Sequence, residues 1–378
     1  QFEEGARDLA YFYFRRVWDL RDRVTVSGAA PLYLSRILVD EGEVAAARNL
    51  LEEAWNRNLE PRGEITLALA TLYIDSERLS EAQQLLEGLL DGTPPKESEV
   101  RYRLAFVYFQ RGRPGDALAL IEDTFSLGRA GEYAPQLLRL RSRSLRTLGR
   151  YREALQAIRE FLTLVPEDGV GRFEYATLLF RVGEYRRLLE ELDEHSGSFD
   201  ASDTDYLRGL ALVGLGRYEE AVATLSRVEG AENLRPYRDY YLAWANYRLG
   251  RNEEAVELFD RISRERSSPF ASRSAYLGGW SAFVAGSYDR AAELLRRVSS
   301  FDTTMETRED AWRLLAETYR ADGDLQEALS VYRTIMAEAD RGGVIAEAWL
   351  SYALLLDELG RTREALTELF ALNGQFPG

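Results

Sequence analysis

Residues 149–166 read GRYREALQAIREFLTLVP. Gly149 opens the stretch. Tyr151 follows two residues on, Ala154 five on, Ile158 nine on and Pro166 seventeen on, and a small residue, Ser142, stands seven before the glycine. Moved along the chain, this template matches again and again. Its glycine position falls at Gly42, Glu77, Gly112, Gly149, Gly183, Gly216, Gly250, Gly286, Gly323 and Gly360, in steps of 33 to 37 residues. A period of this size means stacked units, each a supersecondary element that cannot bury its apolar face alone.

Each template position has a physical reason. The glycine ends one helix with a residue free to take positive φ, and the chain reverses there. Five residues on stand Ala47, Ala82, Ala117, Ala154, Ala221, Ala255, Ala291, Ala328 and Ala365, with Leu188 the one departure. Seven before the turn stand only Ser, Ala or Gly, from Ser35 to Ala353. Small residues on both partners let two antiparallel helices approach at the short end of the usual ~8–10 Å range. The apolar residues nine past the turn, such as Leu51, Ile158 and Phe259, seal each pair against the next.

At these residues the chain resembles the tetratricopeptide repeat family, whose small–Gly–Ala–Pro helix-turn-helix pattern matches across nearly the whole length. The closing proline appears only at Pro94, Pro166 and Pro377, so the linkers are irregular. The resemblance implies an all-α fold of about ten repeats, a right-handed superhelical solenoid of stacked antiparallel helix pairs. It also implies that the first helices of the repeats line a concave groove. The expected organisation is one continuous solenoid over 1–378. Residues 1–28 are the second helix of a truncated unit plus a linker, 29–200 are units 1 to 5, and 201–378 are units 6 to 10.

Composition sets limits. Length alone suggests two or three globular domains for 378 residues, but a solenoid is one body whatever its length. The net charge of −15 argues against wholesale binding to nucleic acid or an anionic membrane surface. The basic residues are arginine except for Lys96. There is no cysteine, so disulfides, thiol catalysis and thiolate metal sites are excluded. No apolar run approaches the ~20 residues of a membrane-spanning helix. The chain starts at Gln1 and not at Met, and the expectation is that a preceding segment has been removed, so targeting is not legible.

Gly5, Ala10 and Phe14 keep the template spacing, so the first twenty residues read as a second helix. If the solenoid bends, the irregular stretch from His195 to Asp203 is the expected place, with Ser202 as an N-cap. Both ends are expected to be cut faces that expose Phe14, Trp18, Leu369 and Leu372 and to support weak end-to-end association.

Catalytic chemistry finds little footing. Lys96 in GTPPKE lacks the spacing of a phosphate-binding loop. A single histidine, His195, cannot form a two-histidine zinc site and has no nucleophile placed beside it. Gly278 and Gly279 fall on helix-packing positions, and Glu190 to Glu194 reads as a solvated face. No enzyme activity and no cofactor are expected.

The groove positions are more informative. Family geometry puts residues 13, 10, 6, 3 and 2 before the turn glycine on the groove face of the first helix. In repeat 7 these are Tyr237, Tyr240, Trp244, Tyr247 and Arg248; in repeat 8 they are Arg273, Tyr276, Trp280, Phe283 and Val284. Tyr237 to Phe283 of this set form the expected ligand site, because exposed aromatics and arginine are what binding hot spots use. A second expectation is the basic stripe of repeat 4, Arg139, Arg143 and Arg146, which would clamp an acidic ligand.

The function expected is a protein-interaction scaffold that binds an extended peptide or partner protein, with bacterial cell-envelope assembly favoured over the cytoplasm. A polysaccharide of an export system and self-association are the alternatives. No nucleic-acid partner is expected. The register makes one direct prediction: Ala221 lies where the two helices of repeat 6 touch, so Ala221→Trp should cost at least ~1–3 kcal/mol by overpacking. An unchanged midpoint of thermal unfolding would contradict the register.

Overall fold

The computed structural model describes residues 2–23, 26–229, 232 and 234–376. Gln1, and Pro377 and Gly378 of the last template match, lie outside the described residues. By internal contacts the chain divides into two compact bodies, Gln1–Val182 and Gly183–Gly378. Among the described residues there are 21 α-helices and no strand.

The N-terminal body holds α1 (Phe2–Asp19), α2 (Ala29–Asp40), α3 (Val44–Asn56), α4 (Arg62–Asp75), α5 (Leu79–Leu90), α6 (Glu97–Gln110), α7 (Pro114–Ser126), α8 (Ala134–Thr147), α9 (Tyr151–Leu164) and α10 (Gly169–Val182). The C-terminal body holds α11 (Tyr185–Glu194), α12 (Ala201–Gly214), α13 (Tyr218–Leu225), α14 (Arg235–Arg248), α15 (Asn252–Arg264), α16 (Ala271–Val284), α17 (Tyr288–Val298), α18 (Met305–Asp322), α19 (Leu325–Glu338), α20 (Gly342–Glu358) and α21 (Thr362–Gln375).

Every template turn is realised. All ten turn positions have positive φ, from +71° at Gly112 to +91° at Gly323 among the glycines and +58° at Glu77. The small residues on either side of the turn are buried where the helices cross: Ala47, Ala82, Ala117, Ala154, Ala221, Ala255, Ala291 and Ala328 have no exposed surface. Leu188, the one departure from alanine at this template position, is equally buried. At Gly209 and Gly279 even a methyl group would not fit, since a Cβ would lie 2.4 Å from Leu225 and 2.6 Å from Leu295. The first helices also touch their counterparts in the next repeat, α2 with α4, α4 with α6 and α6 with α8 in the first body, and α12 with α14 and α16 with α18 in the second. Within either body the second helix of a repeat packs both on its own first helix and on the first helix of the next repeat, and the contacts between successive first helices are the lesser ones.

Buried ion pairs tie neighbouring repeats. Asp260 on α15 accepts from Arg264 of its own helix at 3.1 Å, from Arg297 of α17 at 2.8 Å, and from Arg290 of α17. Glu309 on α18 is fully buried and accepts the backbone N–H groups of Asp340 and Arg341 at 2.8 and 3.1 Å, together with the Arg341 guanidinium. That carboxylate pins the start of α20 to α18. Burial alone would raise both carboxyl groups. The hydrogen bonds outweigh it, and both are held below their ordinary values of 3.8 for Asp260 and 4.5 for Glu309.

Three local expectations are corrected. Asp200, not Ser202, caps α12, its carboxylate accepting the Asp203 N–H at 2.7 Å; the Ser202 hydroxyl donates instead to the Glu229 carbonyl. Trp18 is 5% exposed and belongs to the core, and Phe14 is half-buried against Tyr33 with ring centroids 4.6 Å apart, because α1 packs on α2. Leu369 and Leu372 are half-buried; the exposed apolar residues nearby are Leu366 and Phe370.

Two predictions follow from this packing. Glu77 is the one turn residue with a Cβ, and the left-handed conformation costs an L-residue about 1–2 kcal/mol, partly offset by the greater freedom of an unfolded glycine. Glu77→Gly should therefore stabilise the N-terminal body by about 0.5–1 kcal/mol in denaturant unfolding; a loss of stability would contradict it. Because the folded carboxyls of Asp260 and Glu309 ionise below their unfolded values, their contribution is complete above about pH 5 and is lost as pH falls through the depressed values. Thermal midpoints should hold between neutral pH and about pH 5 and drop below about pH 4. Glu309→Ala should cost about 2–3 kcal/mol at pH 7, where it strands two N–H donors, and should flatten the acid limb.

Candidate functional site

The C-terminal body carries an open cavity of about 420 Å³ on the face built by its first helices. Tyr276 and Trp280 of α16 form one wall, and Asp310, Arg313 and Glu317 of α18 another. Glu347, Ala348 and Ser351 of α20 close the far side, and Leu314, Tyr332 and Ile335 make the floor. A second opening of about 440 Å³ shares Tyr276 and Asp310 with the first and continues past Arg273 toward Thr303 and Thr307. The two form one groove across three consecutive first helices.

Local folding explains the placement. Tyr276 and Trp280 are four residues apart, one turn along the same face of α16. Asp310, Arg313 and Glu317 occupy the same face of α18 for the same reason. The floor is buried because Leu314 and Tyr332 belong to the packed interfaces of repeats 8 to 10. The Tyr332 hydroxyl donates to Glu317 Oε1 at 2.9 Å, and burial together with that carboxylate pushes the phenol up to about 12. Burial and the Asp310 carboxylate push the Tyr276 phenol in the same direction. Both phenols thus stay protonated donors at neutral pH. The rim carries three carboxylates and one guanidinium, and each carboxylate is ion-paired: Glu347 with Arg313 at 3.0 Å, Asp310 with Arg341 at 3.1 Å and Glu317 with Arg320 at 3.5 Å.

The expected site residues divide by repeat. In repeat 8, Trp280 is 39% exposed, Arg273 is exposed, Tyr276 and Phe283 are half-buried, and all but Phe283 line the groove. In repeat 7 the row is turned inward. Tyr240 is 4% exposed and stacks on Phe270 with centroids 4.2 Å apart, and Tyr237 meets the same ring edge-on at 5.3 Å. Trp244 and Tyr247 pack together at 5.6 Å and are half-buried. Arg248 lies over Tyr218 at 4.8 Å and Trp244 at 5.8 Å, while Arg273 lies over Tyr240 and Trp244 at 5.8 and 5.7 Å. Arg248 and Arg273, two members of the expected ligand site, thus lie over the protein's own rings.

In repeat 4, Arg139 and Arg143 both reach Glu174 of α10, at 3.2 and 2.7 Å, so an internal carboxylate occupies the expected clamp. Arg146 is exposed. His195 lies at the end of α11 with Nδ1 3.3 Å from Glu191. Among the described residues no cluster of histidine and acidic side chains is placed to hold a metal ion, and no helix is long and apolar enough to cross a membrane.

The residues that sequence reading missed carried a signal. Asp310, Arg313 and Glu317 stand 13, 10 and 6 before Gly323, and Glu347 stands 13 before Gly360. They occupy the same groove positions as the aromatics. Aromatic residues concentrate at the groove positions of repeats 7 and 8, whereas repeats 9 and 10 supply the polar wall.

Profiles of the tetratricopeptide repeat match residues 67–125, 206–270, 242–303, 38–94 and 311–343, together more than half of the chain. A search among curated proteins finds no significant match. Among solved structures, a tetratricopeptide repeat protein from Parabacteroides merdae is 17% identical, covers 67% of this chain and 98% of its own, and superposes with a TM-score of 0.52. MamA from Desulfovibrio magneticus, from residue 41 to its end, is 21% identical over 47% of this chain and 99% of its own, with a TM-score of 0.40. The first of these likenesses bears on the fold alone. With ten positive-φ turns at the template spacing, buried alanines at nine of the ten positions five past the turn, and repeat profiles over more than half its length, this chain belongs to the tetratricopeptide repeat family.

Proposed function

We propose that this chain is a protein-interaction scaffold and that the groove across α16, α18 and α20 receives an extended segment of a partner protein. One observation carries the reading: Trp280, a large amphipathic ring, stands 39% exposed in the wall of an open groove instead of being covered by its neighbours. An indole held on a helix has little rotamer entropy to lose on binding and much area to bury. Val284 on α16 and Leu350 and Leu354 on α20 extend the apolar surface at further groove positions, with 44–58% exposure. The groove is an open cleft of three helix rows, which suits an extended chain better than an enclosed small molecule. Bacterial cell-envelope assembly is the setting we propose, in keeping with a chain that has no cysteine to oxidise.

The test uses the full chain and a displayed library of random peptides. Selected peptides should lose about 2 kcal/mol of binding, roughly thirtyfold, on Trp280→Ala. The thermal midpoint should fall much less than for Ala221→Trp, because the ring is only partly packed. Peptides that bind the Trp280→Ala chain with unchanged affinity would place the docking surface elsewhere.

A further inference from the structure

Trp244 and Trp280 occupy one template position in consecutive repeats, six residues before Gly250 and Gly286. Their surroundings differ in charge. Over Trp244 the protein places two guanidinium groups, Arg248 at 5.8 Å and Arg273 at 5.7 Å. Arg248 stands two residues before the turn glycine of its own repeat, and Arg273 stands thirteen before that of the next. Around Trp280 the same two positions hold Val284 and Asp310. Val284 is apolar and 55% exposed. Asp310 is a carboxylate in the cavity wall, 3.1 Å from Arg341. Repeat 8 thus keeps the indole and replaces both of its cations, one of them by the opposite charge.

The rest of the rim agrees. Asp310, Glu317 and Glu347 face the cavity together with Arg313, whose guanidinium is engaged by Glu347. An indole face attracts a cation, most favourably when the site is partly desolvated, and carboxylates at its edge add charge-assisted hydrogen bonds. Each of the three carboxylates has an internal guanidinium partner, Arg341 for Asp310, Arg320 for Glu317 and Arg313 for Glu347, and a carboxylate has acceptor capacity for a further cation but none for an anion. We infer that the cavity over Trp280 takes a cationic side chain, an arginine, from the extended partner segment: the partner supplies in trans what Arg248 and Arg273 supply to Trp244 within the chain. Arginine fits better than lysine, because its planar guanidinium stacks on the indole while its edge forks to a carboxylate. This inference rests on the docking reading of the same groove and names the chemistry of its occupant.

The experiment separates the two. Peptides are selected from a displayed random library on the full chain, and those whose binding requires Trp280 are synthesised with each cationic residue replaced in turn by norleucine. Affinities are read by fluorescence anisotropy. The selected peptides should share one arginine, and its replacement by norleucine should weaken binding by on the order of tenfold or more. Val284→Arg, a substitution at an exposed position, should place an internal cation beside Trp280 and weaken the same peptides by a similar factor with an unchanged thermal midpoint. Val284→Arg combined with Asp310→Arg should weaken them further. Trp280-dependent peptides that carry no cation, or that tolerate norleucine at every position, would overturn the arginine inference and leave the docking reading standing. Failure to select any Trp280-dependent peptide would overturn both.

Discussion

The structure depends on how closely two helices can approach. The turn residue of every repeat takes a left-handed conformation, and within each body the paired helices fold back on each other through alanine, serine or glycine. Small side chains bring the backbones near enough for long apolar residues on either side to interlock with the next repeat. Gly209 and Gly279 show how little slack remains, since their partners Leu225 and Leu295 already occupy the space a methyl group would need. One such contact cannot hold a helix pair together in water. Stability comes from repetition, each pair covering the apolar face of its neighbour.

The chemistry of the groove face of the first helices varies from repeat to repeat. Repeat 7 spends its groove positions on an internal stack, in which Tyr240 lies on Phe270 and two arginines cover Trp244. Repeat 4 spends its arginines on Glu174. Repeats 8 to 10 line an open cavity, with aromatics on α16, ion-paired charges on α18 and a mixed set on α20, and leave Trp280 exposed in its wall. Whether a groove residue is a binding element or a brace therefore depends on its neighbours in the next repeat, not on its own type.

The polar contacts between repeats do a different job from the apolar ones. Glu309 and Asp260 are buried carboxylates that draw partners from the following repeat or the loop leading to it, with Arg264 of its own helix also on Asp260. A buried carboxylate without partners would be costly, so these pairs are satisfied in only one alignment of the stack. The apolar seams are less selective, because leucine and isoleucine tolerate small shifts. The ion pairs sharpen the register that the seams allow.

The sequence by itself determined the repeat. Ten turns, their spacing, the helix pairs and the buried alanines were all legible, because a glycine at a left-handed turn and an alanine at a close crossing are demands of local geometry. Even Glu77, which breaks the pattern, adopts the turn conformation that its position dictates. Asp310, Arg313, Glu317 and Glu347 stand at the same template positions, but as charged residues they were not distinguished from an ordinary solvated face. What the sequence did not show was which groove residues stay free. Trp244 and Trp280 are indistinguishable as letters at equivalent positions. Only the tertiary structure brings Arg273 of one repeat over the Trp244 of the repeat before it, and Asp310 to the corresponding place near Trp280. Exposure and charge at a groove are set by contacts between residues some thirty positions apart, and such contacts exist only once the repeats have stacked.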